Sequence, residues 1–252
     1  MKRTEPVADF VALDETFATT RRLVADEGLL RVYGLEKSNP DIEGGLRVKG
    51  YFKRSEPQKP LITVITVVYN GAEQLEDAIL SVTGQAYDNV EYIIIDGGSI
   101  DGTIEVIKKY DDALDYWISE PDEGIYDAMN KGVHLSRGDY VLFLGSDDRL
   151  FEVFLEAVNY FDEETMSYYG NVVMSKNKKL YDGMFYPLKL FIKNIPHQAI
   201  FYSKQVFNQY QYNCRYLTVA DYELNLKVFS NAFLPTNTFV SSSLSIATSI
   251  VT

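Results

Sequence analysis

The chain predicts an α/β fold built on a mainly parallel sheet with helices on its faces. Three observations carry that prediction. Between residues 61 and 150, short β-branched runs alternate with segments of helical periodicity, the pattern of βαβ units with right-handed crossovers. The runs LITVITVVY (61–69), VEYIII (90–95) and YVLFL (140–144) are nearly continuous in apolar residues, as strands buried on both faces are. Each run stops at turn chemistry: Asn70-Gly71, Asp96-Gly97-Gly98-Ser99 and Gly145-Ser146.

The elements follow in order. Leu75, Ala78, Ile79 and Val82 stand at i, i+3, i+4 and i+7 behind the first strand, one face of a helix. Asp101-Gly102-Thr103 opens a second helix with Val106, Ile107 and Tyr110 inward. Leu114 to Ile118 is a third, shorter strand, SEPDEG (119–124) a loop, and Ile125 to Leu135 a third helix. After Arg149 the expected elements are a helix over 151–161, a strand over 167–174, and a turn at Asn177-Lys178 into Leu180-Tyr181 that implies an antiparallel hairpin. A helix over 217–229 and a terminal strand in FVSSSLSIATSIVT complete the set.

Residues 1–59 read as an N-terminal extension packed on a main domain of 60–252. That domain divides into a nucleotide-binding half, 60–150, and an acceptor-side half, 151–252. In the extension, Phe10, Val11, Leu13, Phe17, Leu23 and Val24 are loosely at helical spacing, and Asn39-Pro40 and Gly44-Gly45 are turn signals. An amphipathic segment touching a membrane is the alternative for this region, but its apolar face is untidy.

Composition narrows the function classes. The 252 residues are 46% hydrophobic with mean hydropathy −0.14, ordinary for a globular protein with a sizeable core. No apolar run approaches the roughly 18 residues of a membrane span, and MKRTEPVADF has no signal-peptide core. The single cysteine, Cys214, rules out an intrachain disulfide or a cysteine-rich zinc site. These features point to a cytoplasmic protein, with a peripheral position at the inner face of the membrane as the other expectation. A net charge of −12 argues against nucleic acid as partner, because phosphate tracking needs clustered Lys and Arg.

The chemistry-bearing residues sit at the strand ends, where open α/β sheets bind ligands. Asp147 and Asp148 follow the YVLFL strand directly. Two adjacent carboxylates there repel unless a cation lies beside them, and a hard divalent ion can bridge such a pair to a ligand's phosphates. A surface turn is the alternative. DGGSIDGT (96–103) puts Asp96 at a strand end among three glycines, so that it could accept a hydrogen bond from a base or ribose; an ordinary βα turn capped by Asp101 is the alternative. Asp122 and Glu123 occupy the next loop. Lys131 is the nearest cation to this acidic cluster and reads as a surface lysine. Asp221 and Glu223 open the late helix, as dipole-complementing carboxylates or as a base. Of the two histidines, His134 reads as structural, and His197, before an expected strand, as a residue of the cleft.

Four blocks in this order, TVVYN, DGGSIDGT, SEPDEGIYDAMNKG and GDYVLFLGSDD, resemble family 2 of the GT-A glycosyltransferases, the type that assembles bacterial polysaccharides. The resemblance is strong over about 61–150 and extends more weakly through PHQAIFY and ADYEL to about 230. It implies the GT-A fold, a Rossmann-like sheet with a smaller antiparallel acceptor-side part. It implies an inverting transfer of sugar from a nucleotide-sugar donor, UDP-linked by expectation, to a hydroxyl of a glycan or lipid-linked acceptor, with Mg²⁺ or Mn²⁺ as cofactor. On the matching positions, Val68, Tyr69 and Asn70 lie beside the base, Asp96 and Asp122 contact the nucleotide, Asp147 faces the donor, Asp148 contacts the metal, and Asp221 is the general base. Ile100 and Gly145 depart from the family's frequent residues there. A non-catalytic glycan- or protein-binding module on the same scaffold is the competing expectation. A nucleotidyltransferase ranks below it, because Asn70-Gly71-Ala72-Glu73 offers no basic phosphate loop.

Overall fold

The computed structural model describes residues 23–35, 38–162, 167–174, 179–181, 187–231 and 238–249. Three short strands precede residue 60: β1 (Val24–Ala25), β2 (Glu43–Gly44) and β3 (Tyr51–Phe52), with helix α1 (Glu27–Val32) between β1 and β2. The alternation expected beyond them is present. β4 (Ile62–Val68), α2 (Leu75–Thr83), β5 (Val90–Asp96), α3 (Thr103–Lys109), β6 (Tyr116–Ser119), α4 (Ile125–Leu135) and β7 (Tyr140–Gly145) follow one another. Next come β8 (Asp148–Leu150), α5 (Phe154–Ala157), β9 (Ser167–Met174), β10 (Lys179–Tyr181) and α6 (Pro187–Leu190). β11 (Ile200–Ser203), α7 (Lys204–Gln209), α8 (Ala220–Asn231) and β12 (Thr238–Ser249) close the described chain.

Among the described residues the main sheet runs β2-β6-β5-β4-β7-β11-β9-β12-β8, with β10 beside β9. β6, β5, β4 and β7 are parallel neighbours. β11 joins β7 antiparallel, so the acceptor-side strands extend the same sheet. β4 and β5 are buried along almost their whole length. Their side chains alternate between two layers: Ile62, Val64, Tyr92 and Ile94 pack with α2 and α3, whereas Ile65, Val141 and Phe143 pack with α4, α7 and α8. The core therefore lies on both faces of the sheet, which is why these strands read as continuous apolar runs.

Four expectations are adjusted. The helix expected over 151–161 is one turn, α5, followed by a 3₁₀ turn at Val158–Tyr160; just ahead of it the chain runs as β8, which pairs with β12. The helix expected from 217 begins at Ala220; Leu217 is exposed and faces no core. The third strand is shifted to Tyr116–Ser119 by a 3₁₀ turn at Asp111–Ala113. Val24, read with a helical stripe, pairs with Phe52 in β1–β3. Phe10, Val11, Leu13 and Phe17 lie outside the described residues, as do Asn177 and Lys178, although β10 does pair antiparallel with β9.

The segment 38–59 is bound to the sheet by buried charge. Arg47 donates to Glu91 at 2.5 Å and to the Leu135 carbonyl at 2.8 Å, and both charged side chains are almost fully enclosed. Glu91 also accepts from the Thr63 hydroxyl (2.6 Å) and the Arg137 amide (2.8 Å). Lys53 pairs with Asp115 at 2.6 Å, equally enclosed. β2 adds to the sheet edge beside β6. The position 59/60 thus falls between the partners of two buried ion pairs.

Candidate active site

The register of the parallel strands places their carboxyl ends in one row. Val68 pairs with Asp96, Asp96 with Ser119, and Val67 with Gly145. The four loops that leave this row surround a cleft of about 680 Å³, bounded by Tyr69, Asp122, Ser146, Asp147 and His197 and floored by Ile65 and Met129.

The first loop is stitched to the second. Asn70 adopts a left-handed conformation, φ 52°, which asparagine tolerates better than most residues. Its amide donates to Ser99 Oγ at 2.7 Å, and its side-chain Oδ1 accepts from the Ile100 amide at 3.0 Å. The Gly71 and Ala72 amides donate to Thr103 Oγ1 and Asp101 Oδ2. Asp101 also accepts from the Thr103 amide (3.1 Å), a local turn just ahead of α3, whose N-cap is Gly102 and not Asp101. This leaves Tyr69 standing at the cleft with 66% of its surface exposed.

Asp96 lies beneath these loops, fully buried. Its carboxylate accepts from the Gly98 amide (3.1 Å), the Ser99 amide (2.9 Å) and the Ser119 hydroxyl (2.6 Å), and also from the Ser99 hydroxyl. Asp122 is half-buried at the cleft, its Oδ1 accepting from the Gly124 amide at 2.8 Å. A Cβ on Gly97 would meet Asp122 Oδ2 at 2.6 Å, so only glycine admits that approach. Lys131 is engaged by Glu120 at 3.0 Å and Asp127 at 3.6 Å, and does not border the cleft.

Asp147 and Asp148 diverge. Asp147 is exposed and borders the cleft; Asp148 is buried at the start of β8, its Oδ2 accepting from the Gly145 amide at 3.2 Å. Both approach the same small space. A Cβ on Gly145 would stand 2.7 Å from Asp148 Oδ2 and 2.8 Å from Asp147 Oδ1. Glycine at this departure from the family pattern therefore keeps open a cradle flanked by two hard oxygen donors. Among the described residues no group of three or more His, Cys, Asp or Glu forms a metal cage. A divalent ion fits here with two protein carboxylates only if a ligand's phosphates complete its shell, a common arrangement for Mg²⁺.

Asp221 opens α8 behind His197. Its Oδ1 accepts from the Tyr126 hydroxyl at 3.0 Å, its Oδ2 from the Asn194 side-chain amide at 2.7 Å, and His197 Nδ1 lies 3.7 Å from Oδ2. Burial disfavours its charge, but His197, the Tyr126 hydroxyl and the Tyr222 amide outweigh that and hold the carboxyl below the ordinary aspartate range. Burial and the neighbouring Asp221 push the Tyr126 phenol up to about 12. A chain of amides fixes the arrangement: Tyr202 donates to Asn225 (2.6 Å), and Asn225 donates to Asn194 (2.8 Å) and the Ile195 carbonyl (3.0 Å). Sequence reasoning reached Asp221 and His197 but missed Tyr126, Asn194 and Asn225. The motif NIPHQ held a signal for Asn194; Tyr126 reads as a core residue of α4 and gave none.

A mainly parallel sheet with carboxylates along its strand ends and an antiparallel extension carrying a further carboxylate is the GT-A architecture of nucleotide-sugar glycosyltransferases. Residues 63–222 match the family model "Glycosyl transferase family 2". The chain belongs to that family and is a glycosyltransferase. It is 35% identical over 186 residues to a PGL/p-HBAD biosynthesis glycosyltransferase of Mycobacterium tuberculosis, covering 70% of this chain and 73% of that one. Among solved structures, S. aureus TarS 1-349 in complex with UDP-GlcNAc superposes with TM-score 0.64 at 18% identity, over 76% of this chain and 59% of that one. The mannosyltransferase PcManGT from Pyrobaculum calidifontis, in complex with GDP-Man and Mn²⁺, gives 0.59 at 16% identity, over 88% and 63%. At that identity these two show the shared fold, and the chain spans about three-fifths of their length. Among the described residues no helix is long and apolar enough to cross a membrane.

Proposed function

We infer that the protein transfers a sugar, with inversion, from a UDP-linked donor to a hydroxyl of a glycan or lipid-linked acceptor. The observation that carries this reading is the convergence of four strand-end loops on one cleft beside the cradle at Gly145. Val68, Tyr69 and Asn70 form the base-side wall, with Tyr69 as the flat surface. Asp122 meets the nucleotide from the opposite loop. Asp96 belongs to the same side; it shapes loop 97–99 from beneath, and reaches a ligand itself only if Ser99 turns its hydroxyl away. Asp147 faces the donor, and Asp148 would hold the ion.

The acidic walls repel a diphosphate, and a Mg²⁺ or Mn²⁺ ion would supply there the positive charge that stabilises the departing nucleoside diphosphate. Asp221 takes the proton of the attacking hydroxyl. Because its carboxyl is acidic, it accepts that proton late, once bond formation has acidified the hydroxyl. Tyr126 and Asn194 aim the carboxylate, and His197 with Tyr126 holds it ionised.

Thermal melting tests the donor side. Mn²⁺ alone is expected to leave the melting temperature unchanged, because two carboxylates do not complete a shell. UDP with Mn²⁺ at about 100 times its Kd adds about 2.7 kcal/mol, roughly 5–10 °C for a domain of this size. Asp148→Ala and Gly145→Ala should each remove the Mn²⁺-dependent part of that shift. The same melt with GDP separates the two nucleotides. If no nucleoside diphosphate shifts the melt in a metal-dependent way, the donor assignment fails.

A further inference from the structure

Asn225 lies on α8 beside Leu224, fully buried. A buried amide must find partners for its oxygen and for both N–H bonds, and here the partners give the site a direction. The Ile195 carbonyl stands 3.0 Å from one end of the side chain. A backbone carbonyl only accepts, so the atom facing it is Nδ2. The second N–H of that nitrogen reaches the Asn194 side chain at 2.8 Å, which therefore presents Oδ1. Asn194 is left with its Nδ2 toward Asp221 Oδ2, at 2.7 Å. On the far side Tyr202 donates to Asn225 Oδ1 at 2.6 Å. Burial raises the Tyr202 phenol well above its ordinary range, so it stays a donor. One main-chain carbonyl thus sets the direction of the whole chain of amides, which ends in an N–H aimed at a carboxylate.

We propose that Asn225 is a positioning residue for the acceptor-side base: it obliges Asn194 to offer Asp221 a donor rather than an acceptor. This rests on the reading of Asp221 as that base. A donor at Oδ2 favours the charged form of the carboxyl, the form able to receive a proton. The same amide pins the Ile195 carbonyl, two residues before His197, so it also steadies the turn that carries the histidine. Asn225 does this from a distance, since it does not border the cleft.

A ¹³C titration of the aspartate carboxyls in the full chain tests the proposal, with the Asp221 signal assigned from D221N. In wild type Asp221 titrates below the ordinary aspartate range. N225D keeps the shape and removes both N–H bonds. Asn194 then turns to donate to the new carboxyl, and Asp221 should titrate about one to two pH units higher; D221N/N225D tells the introduced signal apart. N194A should raise Asp221 by a similar amount, and N194A/N225D no further, because the chain is already cut. Y202F removes a hydrogen bond but not the direction, and should leave the titration at its wild-type position. N225L keeps the volume without the direction and should raise Asp221 by less than N225D. The other titratable groups around Asp221 are Tyr126 on α4, His197 ahead of β11, Tyr202 on β11 and Tyr212. Repeating N225D in H197Q removes the imidazole, and the shift should persist. An unmoved Asp221 in N194A overturns the proposal, as does loss of the N225D shift in H197Q. A full N225D shift on top of N194A also overturns it, in favour of charge acting through space. So does a Y202F shift as large as that of N225D, the mark of general loosening. Should N225D not fold, a titration in N225L identical with wild type overturns it instead. Sugar transfer that survives in D221N rejects the base reading and leaves the amide chain standing, whereas transfer lost in D221N with an unmoved titration in N194A rejects the amide chain alone.

Discussion

Asp221→Asn is expected to slow sugar transfer by about 10²–10⁴-fold while the melting shift with UDP and Mn²⁺ stays as in wild type. The substitution keeps the shape of the side chain and removes its ability to take a proton. It also turns an acceptor into a partial donor toward Asn194 and His197, which now point at it, so a loss of about 1–3 kcal/mol in stability accompanies the kinetic effect. A rate near that of wild type would remove Asp221 from the base role. The pH profile gives a second reading. The folded carboxyl sits below its ordinary value, so its stabilising contribution is complete above the unfolded value of about 3.9 and disappears as pH falls through the lower folded one. Between about pH 5 and 8 Asp221 is therefore ionised, and no acid limb in kcat/KM there belongs to it. Tyr126→Phe deletes one of the bonds that favour the charge, and should move the acid limb upward and lower kcat by about tenfold.

The largest effect on stability is expected from Arg47→Met. It leaves Glu91 buried with the Thr63 hydroxyl and the Arg137 amide but no cation, and breaking a buried pair from one side costs about 3–5 kcal/mol. For a domain of this length that is a fall of roughly 10 °C in melting temperature. The sign with pH is specific. In wild type burial opposes the charge of Glu91, but Arg47, Thr63 and the Arg137 amide hold its carboxyl below the usual range. Its contribution is present above the unfolded glutamate value and lost as pH falls through the lower folded one. Without Arg47, burial raises that carboxyl, the folded state binds the proton more tightly, and the deficit should be smaller at pH 5 than at pH 8. A deficit that is small and flat with pH would show that Arg47 and Glu91 are not coupled. A chain shortened to 60–252 removes Lys53 as well and leaves Asp115 in the same condition, so this fragment should melt far below the full chain or fail to fold. We propose that residues 38–59 form one folding unit with the sheet, to which two buried ion pairs join them.

What could be read from the sequence follows from where each signal lies. β4, β5 and β7 were legible because both their faces are covered, which leaves apolar runs bounded by turns. The carboxylates at 96, 122, 147 and 148 were legible because strand ends are where such sheets bind ligands. β8 was not, since three residues reading Asp-Arg-Leu carry no periodicity and become a strand only through a partner about a hundred residues away. Arg47 and Lys53 resemble surface charges until their partners are placed, although Glu91 inside an apolar run already called for a cation. Tyr126 and Asn194 stand 95 and 27 residues from the carboxylate they serve, a relation that only the folded chain reveals.

The pairing of β8 with β12 has a bearing on how the molecule is made. Asp148 lies opposite Ser249 in the ladder, whereas β4, β5, β6 and β7 find one another within residues 62–145. At about 5–20 residues per second, the stretch between Leu150 and Ser249 separates those events by roughly 5–20 s of synthesis. A nascent chain can thus pair β4, β5, β6 and β7 early while the strand bearing Asp148 still lacks its neighbour. The corner formed by Asp148 is then the last part of the strand-end row to gain its neighbour, so an incomplete chain emerges with β8 still unpaired.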